Sequence, residues 1–300
     1  MILSASRRTD IPSYYSEWFR NRLKAGYVLT RNPMNSKQVS RIELSPEVID
    51  CIVFWTKDPL PMLDKLTQID AMGYHYYFQF TLTTYGKEIE HNLRDKKDII
   101  KTFQTLSNII GKDRVIWRYD PILINDDVTA QYHQENFSKL CRELKGYTQT
   151  CMISFIDIYT KLSKSVNGKV LRSATEEEIE RLSNSFSEIG NEYGIKLKAC
   201  CEPYDLSRFD IGKVACVDRE LVERLCGHAI EAKPDKNQRT GCGCVQSVDI
   251  GVYNTCKHGC IYCYANHSNV SIDKNFYRHD PNSDILIGSV GTEEKVKLRK

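Results

Sequence analysis

No apolar stretch in the sequence is long enough to span a bilayer, and the opening Met-Ile-Leu-Ser-Ala-Ser-Arg-Arg-Thr-Asp has too short an apolar run before its arginines for a secretory signal. These absences point to a cytoplasmic protein with no membrane partner. Charge of one sign is scarce as well. The 42 basic residues stand against 39 acidic ones, a formal net charge of +3, so the concentrated positive footprint of a dedicated nucleic-acid binder is missing, although a nucleotide substrate stays open. No Gly-rich phosphate loop and no Ser-His-Asp order stands out. Disorder is excluded too, because 41% hydrophobic and 27% charged residues in a chain of 300 provide a sizeable core.

Cysteine, by contrast, is abundant, with twelve residues. In a reducing compartment that count argues for metal or redox sites over a disulfide framework. Nine of the twelve fall between residues 200 and 266, among Gly-rich turns such as Gly241-Cys242-Gly243-Cys244.

The rest of the chain alternates amphipathic helices with short apolar runs. Thr175-Glu-Glu-Glu offers a capping box, Ile179, Leu182, Phe186, Ile189 and Tyr193 follow at helical spacing, and Gly194 stops the helix. The same order is predicted at 14–25, 62–72, 99–110 and 132–145, closed by Gly26, Gly73, Gly111 and Gly146. Apolar runs at 2–5, 27–30, 51–55, 74–82, 115–119, 151–158 and 195–200, with 248–252 as an eighth, read as parallel strands covered on both faces. Seven or eight such units predict an α/β fold, a full or partial (β/α) TIM-like barrel, with an open doubly wound sheet as the alternative. The expected division is a barrel body over 1–200, a cysteine-rich section over 201–270 that completes it, and a tail over 271–300. The mixed charges of 293–300 read as a solvated, frayed end.

The densest motif is Cys256-Lys257-His258-Gly259-Cys260-Ile261-Tyr262-Cys263, a C-x-x-x-C-x-x-C spacing with an aromatic before the third cysteine. Three thiolates on one tight loop leave one iron of a four-iron cubane open to a non-protein ligand. Zinc is the competing reading, but its usual arrangement is a C-x-x-C pair with a second pair of ligands further on. His258 is expected to be an exposed loop residue, since ligation would close the position a cofactor needs.

The spacing and its flanks resemble the signature of the radical S-adenosylmethionine superfamily. That resemblance implies Cys256, Cys260 and Cys263 as ligands of a 4Fe-4S cluster, S-adenosyl-L-methionine on the open iron, and Tyr262 as the position whose backbone lies by the adenine. It also implies reductive cleavage to a 5'-deoxyadenosyl radical, a β/α barrel, and an electron donor such as flavodoxin or ferredoxin. In most of that superfamily the motif follows the first strand, whereas here it follows the last candidate strand, so the order looks circularly permuted. In a closed barrel those two strands are neighbours, and the loop would still overhang the catalytic face. The whole chain resembles a bacterial family of unknown function with this C-terminal cysteine cluster, through Ser6-Arg7-Arg8-Thr9-Asp10-Ile11-Pro12, Phe54-Trp55-Thr56-Lys57, Trp117-Arg118-Tyr119-Asp120-Pro121 and the stretch 249–265.

Six further cysteines stand near the motif. Cys200, Cys216, Cys242 and Cys244 are the expected ligands of a second 4Fe-4S cluster or a zinc ion, because Cys200 ends a strand and Cys242-Gly243-Cys244 makes a flexible pair. Cys226 falls on the apolar side of a short helix. Cys51, Cys141 and Cys151 read as small buried hydrophobes.

Polar residues after the strands should gather at one face. Arg118 and Asp120 are candidates to bind cofactor carboxylate or substrate, or form a structural pair beside a turn. Arg8 and Asp10 stand in an equivalent place, with capping of a helix begun by Pro12 as the simpler role for Asp10. Lys57 and Glu202 are candidate proton donors or substrate anchors, and Asp157 belongs to the same set. Trp55, Trp117, Tyr76, Tyr77 and Phe80 read as core. The function these patterns favour is a radical enzyme acting on a small molecule or nucleotide; the alternative is a zinc- or iron-sulfur-stabilised binding protein without catalysis.

Overall fold

The computed structural model describes residues 1–156, 165–166, 169–239 and 241–299, which leaves Asp157 outside the described residues. In chain order the elements are β1 (Ile2–Ala5), α1 (Ile11–Tyr14), α2 (Ser16–Ala25), β2 (Tyr27–Asn32), β3 (Asn35–Glu43), β4 (Cys51–Thr56), α3 (Leu66–Ala71), β5 (Tyr76–Thr81) and α4 (Lys96–Ile110). There follow β6 (Val115–Ile122), α5 (Ala130–Leu144), β7 (Thr150–Phe155), β8 (Ser165–Val166), β9 (Lys169–Val170), α6 (Glu176–Tyr193) and β10 (Lys196–Cys200). The chain closes with β11 (Gly212–Val214), α7 (Arg219–Cys226), β12 (Val248–Asp249), α8 (Asn269–Tyr277) and β13 (Lys295–Leu298).

Local signals act as physics requires. Thr175 Oγ1 accepts from Glu178 N at 3.2 Å while Glu178 Oε2 accepts from Thr175 N at 2.9 Å, so both orphan amides at the start of α6 are satisfied. Gly194 ends that helix at φ 71°, a left-handed conformation that costs glycine little.

An eight-stranded sheet forms the centre, in the order β11-β10-β7-β6-β5-β4-β1-β12, with every neighbouring pair parallel. The order advances in one direction, as in a barrel, without the reversal of a doubly wound sheet. Of the full or partial barrel predicted from the strand count, the full one is not what forms: the sheet is not closed, and β11 and β12 remain as separate edges. Two reasons are visible. These edge strands are only three and two residues long, and the cysteine-rich segment packs Val217, Leu221, Val222, Ile230, Cys244 and Val245 against one face of the sheet.

Alternation of side chains divides the sheet into two faces. One carries Leu3, Ala5, Ile52, Phe54, Tyr76, Phe78, Trp117, Tyr119 and Ile153 into the main core beneath α1 to α6, where Trp117, Phe137 and Phe186 stack at 5.1 and 4.1 Å between ring centroids. The other carries Ile2, Val53, Trp55, Tyr77, Ile116, Met152 and Cys200 towards the cysteine-rich segment. Trp117, Tyr76, Tyr77 and Phe80 are core as expected, while Trp55 is half-buried on the second face.

Two predicted segments take other partners. The run at 27–30 pairs antiparallel with β3 in a separate three-stranded sheet, because Val28 and Ile42 face the core side by side there. The expected frayed tail instead supplies β13, which runs parallel to β3 with Val296 opposite Val39, and Glu294 is ion-paired with Arg31 at 2.5 Å. No helix among the described residues is long and apolar enough to cross a membrane.

His133 of α5 gives the fold a pH signature. It is fully buried, accepts from Tyr119 OH at 2.8 Å and donates to Leu123 O at 2.7 Å. Burial pushes its pKa down from 6.5 to about 4. A base whose folded pKa is depressed takes up protons on unfolding, so stability should fall as pH drops from 6.5 towards 4, by at most about 1.4 kcal/mol per pH unit. Urea unfolding of the protein at pH 7 and pH 5, compared with His133→Gln, should show that slope reduced in the variant; equal slopes would place the effect elsewhere.

Candidate metal centre

The C-terminal cysteine loop is brought to the first strand by β12. Leu3 and Ser4 pair with Val248 and Asp249, and the Asp249 carboxylate accepts from Ser4 Oγ (3.0 Å), Ser6 Oγ (2.6 Å), Arg7 N (2.8 Å) and Gly251 N (2.9 Å). At Gly251 an added Cβ would lie 2.0 Å from Ser6 Oγ, so only glycine lets the chain pass this close to β1.

Beyond Gly251 the loop is closed by amide side chains. Asn254 N donates to Ala265 O at 2.9 Å, and Asn254 Oδ1 accepts from His267 N at 2.6 Å, which ties the two ends together. Asn266 Nδ2 donates to Cys256 O at 2.7 Å. Residues 89–92, in the segment after β5, brace the other side: Ile261 N donates to Ile89 O (3.0 Å), Asn92 N to His258 O (3.0 Å) and Asn92 Nδ2 to Lys257 O (2.8 Å).

Held this way, Cys256, Cys260 and Cys263 line one cleft of about 400 Å³ together with Asn266 and Asp273. Burial raises the pKa of Cys256 and pushes Cys260 up to about 12, so both are thiols at neutral pH until a metal displaces the proton. His258 is not exposed as the sequence suggested. It is buried, with Nε2 2.8 Å from Asp10 Oδ2 and Nδ1 3.1 Å from Tyr14 OH, and its ring is thereby committed away from the three thiols.

A charged network lies under the loop. Glu90, 1% exposed, receives Lys57 Nζ at 2.8 Å, Thr83 Oγ1 at 3.0 Å, and also Lys96 Nζ and Tyr262 OH. Burial opposes the Glu90 charge, but the two lysines outweigh it and hold the carboxyl well below the usual range. Burial wins at Lys96, whose pKa falls, whereas at Lys57 the carboxylate outweighs burial and the pKa rises. Glu90 was not a sequence candidate. Its one signal was position, in the loop that follows an apolar strand, and nothing in the residues around it announced a buried acid. Asp10 caps α1 through Ser13 N at 3.0 Å and also accepts from Lys57 N at 2.8 Å. Its capping role and its contact with the cysteine loop coexist.

The second cysteine set assembles on the same face of the sheet. Cys200 Sγ lies 2.8 Å from Cys216 Sγ, and Cys244 Sγ accepts from Val217 N at 3.4 Å. Arg118 Nη1 reaches Cys216 Sγ at 2.9 Å and Gln79 Oε1 at 3.4 Å, and Nη2 is paired with Asp120. Hydrogen bonds from the two neighbouring thiols come first, and Arg118 adds to them, in lowering the Cys216 pKa against burial. Cys242 is half-buried against the same apolar cluster. Among the described residues no group of three or more His, Cys, Asp or Glu side chains is arranged so that it could hold a metal ion.

Of the strand-end candidates, Lys57 and Asp10 thus lie against the cysteine loop, and Arg118 and Asp120 against the second set. Arg8 stands apart, with Nε 4.0 Å from Asp249 and its guanidinium 5.4 Å from the Tyr253 ring centre. Glu202 accepts from Phe155 N at 3.0 Å at the end of β7. Between the two cysteine sets lie Arg7, Trp55 and Tyr264. The Arg7 guanidinium is 4.9 Å from the Trp55 ring centre, and Tyr264 OH donates to Arg7 O at 2.7 Å. Arg7 Nη2 and Trp55 Nε1 are buried donors without a hydrogen-bond partner among the described residues.

Over residues 2–265 the chain matches the model of DUF1848, a domain of unknown function, and it belongs to that family. No curated relative matches it. Among solved structures it is similar to a putative alpha-L-fucosidase from Bacteroides thetaiotaomicron VPI-5482, at 10% identity over 62% of this chain and 76% of the other, with a TM-score of 0.26.

Glu90→Gln removes one negative charge from beneath two buried lysines. Breaking a buried ion pair from one side typically costs about 3–5 kcal/mol, and the loss should appear in urea unfolding at pH 7. A carboxyl whose folded pKa is depressed gives stability above its ordinary pKa of 4.5 that is lost as pH falls below it, so the gap between the protein and the variant should narrow in acid.

Proposed function

We propose that this member of the family is a radical S-adenosylmethionine enzyme whose 4Fe-4S cluster is held by Cys256, Cys260 and Cys263. The observation that carries the reading is the donor set: three thiols of one loop line a single cleft, and the one other ligating side chain on the loop, His258, is bonded to Asp10. Three thiols of one loop that share a cleft suit a cubane, which takes each cysteine on a separate iron. Asn266 Oδ1 is a buried acceptor without a partner among the described residues, and Asn266 lines the same cleft, where the amino group of the cofactor would find it.

When bound, the cluster would supply the electron that splits the cofactor's carbon-sulfur bond to give a 5'-deoxyadenosyl radical. The protein's own contribution is placement and exclusion. Lys57, fixed by Glu90 beneath Cys260, balances thiolate charge. Tyr262, tied to the same carboxylate, fixes the loop between the second and third ligands. A substrate, small molecule or nucleotide, would lie on the open face beside Tyr264, where Arg7 Nη2 and Trp55 Nε1 call for acceptor atoms. Reduction would come from a flavodoxin or ferredoxin.

Purified without oxygen, the protein should be brown with about four or more irons per chain. With dithionite and S-adenosylmethionine it should yield 5'-deoxyadenosine and methionine, and Cys260→Ala should abolish that product with the circular dichroism spectrum unchanged. A colourless protein with stoichiometric zinc on these three thiols would mark a binding module instead.

A further inference from the structure

We propose that Cys200, Cys216 and Cys244, completed by Cys242, bind a single zinc ion that pins the cysteine-rich segment to the open sheet. The site does not depend on the cluster of the C-terminal loop, since it shares no cysteine with it and is built on β10, the residue stretch after β11 and the turn before β12.

Geometry distinguishes a single ion from a second cubane. A cubane takes its cysteines on separate irons and keeps their sulfurs apart, whereas Cys200 and Cys216 stand 2.8 Å from each other and Cys244 Sγ accepts from the backbone N of Val217, the residue after Cys216, at 3.4 Å. Sulfurs that share a tetrahedral zinc, at bond lengths of about 2.3 Å, lie about 3.8 Å apart. Cys200 and Cys216 now pack sulfur on sulfur, and admitting the ion between them asks that they spread by about 1 Å. Cys242 is the fourth ligand we assign: like Cys201 it packs on the same apolar cluster, but it shares a turn with Cys244, where a Cβ added at Gly243 would meet nothing nearer than Ala215 Cβ at 3.7 Å. Cys226 is already committed to His228 O at 3.3 Å.

The charge environment agrees. Four thiolates around a divalent cation leave two negative charges in a largely apolar setting, where they need partners. Two arginines supply them: Arg118, with Nη1 at 2.9 Å from Cys216 Sγ, and Arg7, which follows β1 and whose charge interacts with Cys244 and Cys216. Loading displaces the thiol protons to solvent. The role is mechanical, because this is the stretch that covers the face left exposed by the unclosed sheet.

The test separates the two metal sites. In Cys256→Ser/Cys260→Ser/Cys263→Ser, expressed with zinc and analysed by plasma mass spectrometry, about one zinc per chain should remain. Adding Cys216→Ala should remove it. Because that variant can unfold, the triple variant is also refolded with cobalt, which should give sulfur-to-cobalt charge-transfer bands and the intense visible bands of a tetrahedral thiolate site. Zinc-free triple variant with intact fold, zinc that survives Cys216→Ala, iron in zinc's place, or a denatured thiol count two below expectation, showing a Cys200–Cys216 disulfide, would each overturn the proposal. Failure of S-adenosylmethionine cleavage in the unaltered protein bears only on the other site.

Discussion

The pairing of β1 with β12 is the constraint on which the rest depends. Two residues of strand, Val248 and Asp249, carry a loop from the far end of the sequence to the first strand of the sheet. So short a strand contributes few ladder bonds, and the junction relies on the Asp249 carboxylate, which gathers four donors from both sides of the seam. Gly251 admits this closeness by having no side chain to collide with Ser6. Without the junction, Asp10 would not meet His258, Lys57 would not lie beneath Cys260, and the three thiols would have no floor.

With that seam in place, the chemistry falls on one face of the sheet and the cohesion on the other. The helix-covered face holds the aromatic core, with His133 hydrogen-bonded within it. The opposite face carries Gln79, Arg118 and Cys200 at positions where a packed barrel would place branched apolar side chains. A sheet lined in this way gains little by closing on itself, and its edges stay apart while a cysteine-rich segment and a cysteine loop cover it from two sides. The same fact explains the buried arginines. Arg7 and Arg118 flank Trp55 from two strands, at 4.9 and 5.4 Å from its ring centre, and face sulfur instead of solvent.

Periodic elements were legible in the sequence because they rest on local rules. The α6 capping box and its glycine stop needed no tertiary information, and the apolar runs of β4 to β7 could be buried only in a parallel sheet. The elements that were not legible depend on distant partners. β3 and β13 are polar strands stabilised by pairing with each other, with Arg31 bound to Glu294, and β11 is three residues against β10. At the site, the cysteines announced themselves by spacing. Glu90 did not, because an acid among polar residues carries no sign that two lysines and a tyrosine from three other segments will surround it. His258 was misjudged for the same reason, since its buried partner lies near the other end of the chain.

The two cysteine sets differ in a way that follows from their supports. Cys256, Cys260 and Cys263 sit on one loop whose shape is fixed by amide side chains, so their spacing is set by local backbone. Cys200, Cys216 and Cys244 come from three separate stretches and meet only because the sheet and its covering segment meet. A site of the first kind can survive small movements of the fold and can offer an open coordination position; a site of the second kind fastens the fold and gains by being closed. Arg7 and Trp55 stand between them with donors directed at neither set's backbone, and a molecule held there would touch the residue next to Cys263 on one side and the arginine bound to Cys216 on the other. The proposed zinc site would then form one wall of the space proposed for the substrate.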